Sequence, residues 1–223
     1  MCFEFCKSSI GKKQIVAVTG LLLIVFILGH LAGNLIMYLG ADAYNSYAKK
    51  LASLRPGLYF IEFGLFIVFL IHITFTAIVV IQNIQSRPIG YRVFRPSAER
   101  SIATRLMPYT GTILIVFVIS HLLDFTFVDH EGPKSFLADG KSYGLYGVVY
   151  NAFSDPVQSL FYVIAMFSLG LHLSHGMESF VQTFGLNHPR HTPFLVQASR
   201  WSGFVIALLY SSIPVYILWL NSI

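Results

Sequence analysis

Five long apolar stretches, separated by short polar connections, constrain this 223-residue chain more than any other feature of its sequence. A helix needs about 20 apolar residues to cross the hydrocarbon core of a bilayer, and each stretch reaches that length. Charged residues make up 11% of the chain, against roughly 25% in an average soluble domain. The sequence therefore predicts an all-α, polytopic membrane protein, a bundle of five transmembrane helices, with spans at about 14–39, 58–84, 106–128, 157–184 and 199–221.

We interpret residues 1–223 as one transmembrane domain. The first apolar stretch is too long for a signal-peptide core and has no small-residue cleavage pattern, and His30 and Asn34 interrupt it. Segment 129–155 contains several Gly residues and a Pro. We predict that it forms an ordered loop on the outer side, not a second domain.

Basic residues are distributed unevenly between the two ends of the predicted spans. With the N-terminus inside, ten Lys and Arg residues lie on the inner side and five on the outer side, in agreement with the positive-inside rule. The predicted topology is therefore N-in and C-out. The inner set is Lys7, Lys12, Lys13, Arg87, Arg92, Arg95, Arg100, Arg105, Arg190 and Arg200, and the outer set is Lys49, Lys50, Arg55, Lys134 and Lys141.

A histidine interrupts each of the first four predicted spans. Ionisable residues inside a span are functional candidates, although a single buried histidine can also link two helices by hydrogen bonding. The rise of 1.5 Å per residue places two of them about 23 Å from the inner ends of their spans and the other two about 18 Å. The shallower pair, nearer the outside, is His30 and His121, and the pair nearer the inside is His72 and His172.

Two histidines at one depth on two helices can ligate a haem iron from both faces. Hard cations prefer carboxylates, and zinc needs three or four ligands at one level, so two pairs at two depths favour two b haems with bis-histidine ligation. In span four, matching by depth favours His172 over His175. His175 shares a face with His172, and we expect it either to bind a haem propionate or to link helices.

Small residues flank several of these histidines. Gly29 and Gly33 lie beside His30, and Gly170 and Gly176 lie on either side of His172. We expect such residues to let a porphyrin approach the backbone, although small residues also serve ordinary helix packing in lipid.

Four motifs give the chain a resemblance to a known family. They are "TGLLLIVFILGHLAGNLIMYLGADAYNSYAKKL" (19–51), the span around His72, "TRLMPYTGTILIVFVISHLLDFT" (104–126) and "LGLHLSHGMESFVQTFGLNHPR" (169–190). In order and spacing they resemble the cytochrome b membrane-anchor subunit of succinate dehydrogenase/fumarate reductase, in its single-chain, five-helix, dihaem form. By this resemblance, His72 and His172 would bind the haem nearer the iron–sulfur subunit, and His30 and His121 the distal haem.

The family resemblance also implies partners and a location. A flavoprotein subunit and an iron–sulfur subunit would dock on the cytoplasmic face of the bacterial inner membrane, and electrons would pass through the two haems to a membrane quinone, with menaquinone as the expected type. The arginines between spans two and three, with Lys12 and Lys13, would offer a basic docking surface. This chain has no G-x-G-x-x-G fingerprint and no cysteine cluster, so we expect no dicarboxylate chemistry in it and assign it no catalytic residue.

Two further sets of residues are candidates for binding within such a subunit. A quinone site needs an apolar slot with a few polar groups, and near the outer haem these are Tyr44, Asn45, Tyr47 and Glu62. Arg105, at the inner end of span three, is with His175 a candidate for binding the propionates of the inner haem.

Three alternative functions remain open from the sequence. The same subunit could serve a quinol-oxidising fumarate reductase, because the direction of electron flow depends on the potentials of the cofactors and the quinone. The chain could be the cytochrome b of a membrane hydrogenase or formate dehydrogenase. It could also be a transporter that uses its histidines for metal ions or protons.

Overall fold

A computed structural model describes residues 2–86 and 102–223. Five helices in these ranges are long and apolar enough to cross a membrane, which confirms the predicted all-α architecture. Within the described ranges no β-strand forms, and residues 136 and 142 make an isolated bridge. The α-helices are α1 (Cys2–Lys7), α2 (Ser9–Leu35), α3 (Ala41–Ala52), α4 (Gly57–Gln85), α5 (Ile102–His121), α6 (Gly144–Ser154), α7 (Pro156–Thr183) and α8 (Thr192–Ser222).

The helix boundaries differ from the prediction mainly at α2, α5 and α8. Helix α8 begins at Thr192, well before the predicted residue 199, because Pro193 suits the first turn of a helix, where its missing N–H is not needed. Helix α2 begins at Ser9 instead of residue 14, since the hydroxyl of Ser8 caps it by accepting a 2.9 Å hydrogen bond from the N–H of Gly11. The third span ends in a π-helix, Leu122–Thr126, short of residue 128.

The closest helix packing in the bundle is between α7 and α8. Gly170 and Gly203 bring the two backbones together, and a Cβ atom added at Gly170 would lie 2.6 Å from the carbonyl oxygen of Gly203. Small residues at a crossing are the usual way for membrane helices to gain packing energy. Helix α4 packs along α2, and α5 packs along α7, so the histidine-bearing helices form two neighbouring pairs.

Helices α3 and α6 cover the end of the bundle that the sequence predicts to face outward. The amide of Asn45 on α3 donates to the carbonyl oxygen of Tyr143 (2.8 Å) and accepts from the N–H of Tyr146 (3.1 Å), which fixes the start of α6. Met37, Val149 and Phe153 are buried in the apolar cluster beneath. The segment predicted as an ordered outer loop thus contains a helix, which packs its apolar face on the bundle.

Candidate cofactor site

The four histidines predicted at matched depths lie together in two pairs. His30 on α2 faces His121 at the end of α5, with ring centroids 5.7 Å apart and planes at 89°. His72 on α4 faces His172 on α7, with centroids 6.5 Å apart and planes at 67°. Each pair therefore joins one helix of the α2–α4 unit to one helix of the α5–α7 unit.

The spacing within each pair fits a metal held between two imidazoles. A metal–imidazole bond is about 2 Å long and the ring centroid lies about 1 Å behind the nitrogen, so two imidazoles on opposite sides of one ion have centroids roughly 6 Å apart. Both pairs have this separation. No group of three or more His, Cys, Asp or Glu side chains that could hold a metal occurs in the part of the chain that the structure describes. The donor set therefore fits two-ligand binding of haem iron better than a zinc site.

The inner pair is held by two threonines. The Oγ1 atom of Thr19 on α2 lies 3.0 Å from Nδ1 of His72, and the Oγ1 atom of Thr110 on α5 lies 3.3 Å from Nδ1 of His172. Thr19 and Thr110 are both buried. Each inner histidine is thus contacted at Nδ1 by a hydroxyl from the helix that packs beside its own helix.

The outer pair has an aromatic environment instead. Phe26 stacks on His30 with ring centroids 5.3 Å apart, and Phe117 stacks on His121 at 5.5 Å. The Nδ1 atom of His121 is buried and has no hydrogen-bond partner among the described residues. An unsatisfied buried nitrogen at a paired histidine is consistent with a position that a bound group completes.

A carboxylate lies close to the outer pair. The hydroxyl of Tyr162 donates a 2.7 Å hydrogen bond to Oδ2 of Asp124, and the Tyr162 ring lies 6.1 Å from that of His121. Asp124 is in the π-helix that follows His121. Such π-helical turns occur often at functional sites, because they re-aim side chains that a regular helix would point elsewhere.

The glycines next to the paired rings are not those expected from the sequence. A Cβ atom at Gly20 would lie 3.2 Å from Cε1 of His72, and one at Gly111 would lie 3.6 Å from Cε1 of His172. The glycines at 33 and 170, by contrast, meet Tyr47 and helix α8, so they serve helix packing. Apart from the adjoining backbone of its own helix, no atom of the described residues lies within 4 Å of a Cβ built at Gly29 or Gly176.

The two propionate candidates lie toward the end of the bundle that the sequence predicts to be the inner one. His175 is partly buried on α7, one helical turn inward of His172, and Arg105 is exposed near the start of α5. At the same end, Nζ of Lys12 donates a 2.9 Å hydrogen bond to Gln82 and ties α2 to α4. The other arginines of the predicted basic docking surface, Arg87, Arg92, Arg95 and Arg100, lie outside the described residues.

Two of the quinone candidates converge on α2 just beyond His30. The hydroxyl of Tyr44 contacts Oδ1 of Asn34 at 3.4 Å, and the ring of Tyr47 lies against Gly33. Burial, with a smaller contribution from Tyr47, raises the pKa of Tyr44 to about 12. Tyr44 therefore stays protonated at neutral pH and can act as a hydrogen-bond donor.

The other two quinone candidates make different contacts. Both ends of the Asn45 amide bond the backbone that leads into α6. Glu62 lies 3.2 Å from the guanidinium of Arg55, and both side chains are nearly half exposed. Among the hydrogen bonds described for Asn45 and Glu62, none joins them to Tyr44 or Tyr47.

The reasoning from sequence missed Thr19 and Thr110, although a signal for them exists. A Thr-Gly pair occurs at the same distance before each outer histidine, in "TGLLLIVFILGH" (19–30) and "TGTILIVFVISH" (110–121). The two segments are similar along their whole length, and each has a Phe, four residues before its histidine, that stacks on that histidine. This internal repeat relates α2 to α5.

Comparison with known proteins shows a similarity to a cytochrome b subunit. The chain is 28% identical over 171 residues, 73% of this chain and 73% of the other, to the succinate dehydrogenase cytochrome b558 subunit of Bacillus subtilis (strain 168). No family model and no solved structure matches the chain. The similarity supports the resemblance to succinate dehydrogenase cytochrome b subunits that the four sequence motifs indicate.

Proposed function

We propose that this chain is the dihaem cytochrome b membrane anchor of a succinate:quinone oxidoreductase. Two b haems, when bound, would supply the one-electron carriers between an iron–sulfur subunit on the cytoplasmic side and a membrane quinone. The observation that carries the proposal is the pairing of four intramembrane histidines on four helices at two depths, with ring centroids 5.7 and 6.5 Å apart. The similarity to a cytochrome b558 subunit supports it independently.

In this proposal His30 and His121 hold the outer haem, and His72 and His172 hold the inner haem. The task of the chain is to keep each pair of imidazoles at a fixed separation inside an apolar bundle. Four helices contribute one ligand each, so neither pair can form unless the α2–α4 and α5–α7 units pack together. The apolar surroundings restrict access of water, which helps to set the potential of a bound haem.

At the inner end, Arg105 and His175 are the proposed partners of the propionates of the inner haem. The guanidinium of Arg105 can form charge-assisted hydrogen bonds with carboxylates. Arg105 is exposed near the start of α5, a position that suits propionates that stay partly hydrated. Lys12 and Lys13 lie at the same end and form part of the proposed contact with the flavoprotein and iron–sulfur subunits.

At the outer end, Tyr44, Tyr47 and Glu62 are the proposed quinone-binding groups. Protonated Tyr44 could donate a hydrogen bond to a quinone carbonyl, and Glu62 could exchange a proton with the outer solvent because it is nearly half exposed. Asn45 would support this site by fixing α3 against α6. Menaquinone is the proposed quinone.

The first test is optical and chemical. The complex purified with its partner subunits should give a reduced-minus-oxidised spectrum with a b-type α band, two haems per chain, and a flavoprotein and an iron–sulfur protein as its soluble subunits. Absence of the α band would refute the proposal and favour a transporter, and hydrogenase or formate dehydrogenase subunits would refute the assignment to succinate oxidation. A redox titration of both haems, with extraction of the bound quinone, tests the direction, because the direction depends on the potentials of the haems and the quinone. Haem potentials well above that of the bound quinone would refute menaquinone as the quinone.

Ligand variants then test the pairs. Replacing His72 or His172 by Ala should remove one haem, and replacing His30 or His121 should remove the other. His175→Ala tests the alternative ligand in span four, since His175 lies one turn from His172 on the same helix face, and two haems per chain should remain if His172 is the ligand. Loss of a haem in His175→Ala with retention in His172→Ala would show that His175 is the ligand.

A further inference from the structure

We infer that Thr19 and Thr110 are positioning residues that fix the tautomer of the inner histidines, so that each presents an unprotonated Nε2 to the metal. The inference rests on the proposed function and deepens it. Each threonine contacts Nδ1 of an inner histidine from a neighbouring helix. Thr19 Oγ1 lies 3.0 Å from Nδ1 of His72, and Thr110 Oγ1 lies 3.3 Å from Nδ1 of His172.

The hydroxyl of each threonine has a carbonyl acceptor on its own helix, to which it can donate its proton. Thr19 Oγ1 lies 2.7 Å from the carbonyl oxygen of Ile15, and Thr110 Oγ1 lies 3.1 Å from that of Met107. A hydroxyl has one proton, and a backbone carbonyl can only accept, so the oxygen is left as an acceptor toward the ring. With the hydroxyl proton on that carbonyl, the donor in the contact with the ring is Nδ1–H.

A neutral imidazole carries one proton, so an Nδ1–H tautomer has its free lone pair on Nε2. That nitrogen is then the available metal ligand. The glycine after each threonine completes the contact, since Cε1 of His72 and His172 lies over Gly20 and Gly111 respectively. The Nδ1–Cε1 edge of each inner ring is thus held against the neighbouring helix by a Thr-Gly pair.

His121 of the outer pair differs from the inner histidines. Of the outer histidines, His121 has a buried Nδ1 without a hydrogen-bond partner in the described residues. Because the Thr-Gly pair recurs in the same register on α2 and α5, the two inner ligands receive equivalent support from the two halves of the bundle. A group that accepts a hydrogen bond from the non-ligating nitrogen raises the basicity of a ligand histidine. Mutation of such a group usually lowers metal affinity or activity about 10- to 100-fold.

The test compares valine and serine variants of the complete complex. Thr19→Val and Thr110→Val remove the hydroxyl at almost constant volume, and Thr19→Ser and Thr110→Ser retain it. Thr112→Val is the matched control, because Thr112 lies on the same helix, makes the same type of bond to the carbonyl of Pro108 (2.9 Å) and is exposed. The readouts are haem content, electron paramagnetic resonance g-values and midpoint potential of each haem, with the inner haem identified by its loss in His72→Ala.

We expect both valine variants to affect the inner haem selectively. Loss of the acceptor weakens electron donation by the histidine, so the midpoint potential of the inner haem should rise, and a tenfold weaker preference for ferric iron corresponds to about 59 mV. Selective loss of the inner haem in a valine variant, restored by serine, would support the inference equally. The outer haem and Thr112→Val should match the wild type.

Two haems with unchanged inner g-values and potential in both valine variants would overturn the inference and leave the proposed function intact. An equal shift in the serine variants or in Thr112→Val would also overturn it, because a general packing effect would then explain the change. Fewer than two haems in the wild-type complex would refute the proposed function and this inference with it.

Discussion

The crossing of α7 and α8 allows a quantitative prediction, because it has almost no free space. In the variant Gly170→Ala the new Cβ atom would lie 2.6 Å from the carbonyl oxygen of Gly203 and 2.8 Å from Cβ of Ala207. Ordinary van der Waals contact begins at 3.4 Å, so the two backbones would have to separate locally by about 0.8 Å. The first of these atoms belongs to the main chain and cannot move away by a change of rotamer.

The expected cost follows from two opposing contributions. Overpacking of a close-packed interface costs about 1–3 kcal/mol, and replacing a helical glycine by alanine gains about 1 kcal/mol in helix propensity. The control Gly64→Ala on α4 has the second contribution alone, since no described residue outside the adjoining backbone of α4 lies within 4 Å of its Cβ position. Gly170→Ala should therefore be less stable than Gly64→Ala by about 1–3 kcal/mol.

The assay is thermal denaturation of the purified complex in one detergent, followed by size-exclusion chromatography and by the haem absorbance. Because His172 follows Gly170 by two residues, we expect the inner haem to be released at lower temperature than the outer haem in Gly170→Ala. Equal or higher stability of Gly170→Ala relative to Gly64→Ala would refute the packing argument. Simultaneous loss of both haems would refute the local link to His172.

Three further outcomes can be checked. Tyr162→Phe should lower the stability of the protein by about 1 kcal/mol, because Tyr162 donates a 2.7 Å hydrogen bond to Asp124. A double-mutant cycle with Asp124→Asn, measured by thermal denaturation, should therefore give a nonzero coupling energy. Additive effects of the two substitutions would contradict this. Asn45→Ala removes both hydrogen bonds to the start of α6, so amide hydrogen exchange in residues 144–149 should become faster, and unchanged exchange would argue against its structural role. Hydrogen bonds from the backbone N–H of Lys141 and, to a lesser extent, from the hydroxyl of Tyr143 lower the pKa of Asp139 below its ordinary value of 3.8. Because the pKa is lower in the folded state, these bonds should stabilise the folded loop above pH 3.8. This stabilisation should be lost as the pH falls through the folded pKa. An NMR titration that finds Asp139 protonating at or above 3.8 would contradict the last prediction.

The sequence was sufficient to predict the five apolar helices and the position of each histidine along its helix. Both depend on local quantities, the length of an apolar stretch and the fixed rise of a helix, so they need no knowledge of which helices are neighbours. The four glycines near His30 and His172 show what a sequence cannot predict. Glycine is recognisable in a sequence, but whether it faces a cofactor, a tyrosine or another helix depends on rotation about the helix axis.

Only the tertiary structure determined which helix supports which histidine. Thr19 is remote in sequence from His72, and their 3.0 Å contact arises because α2 and α4 pack side by side. Asn45 shows the same limit, since its short-range sequence context suggested a ligand-binding group, while its partners are backbone atoms about a hundred residues further along the chain. Helical periodicity fixes position along each helix, whereas packing between helices fixes direction, and the hydrogen-bonding role of a side chain depends on direction.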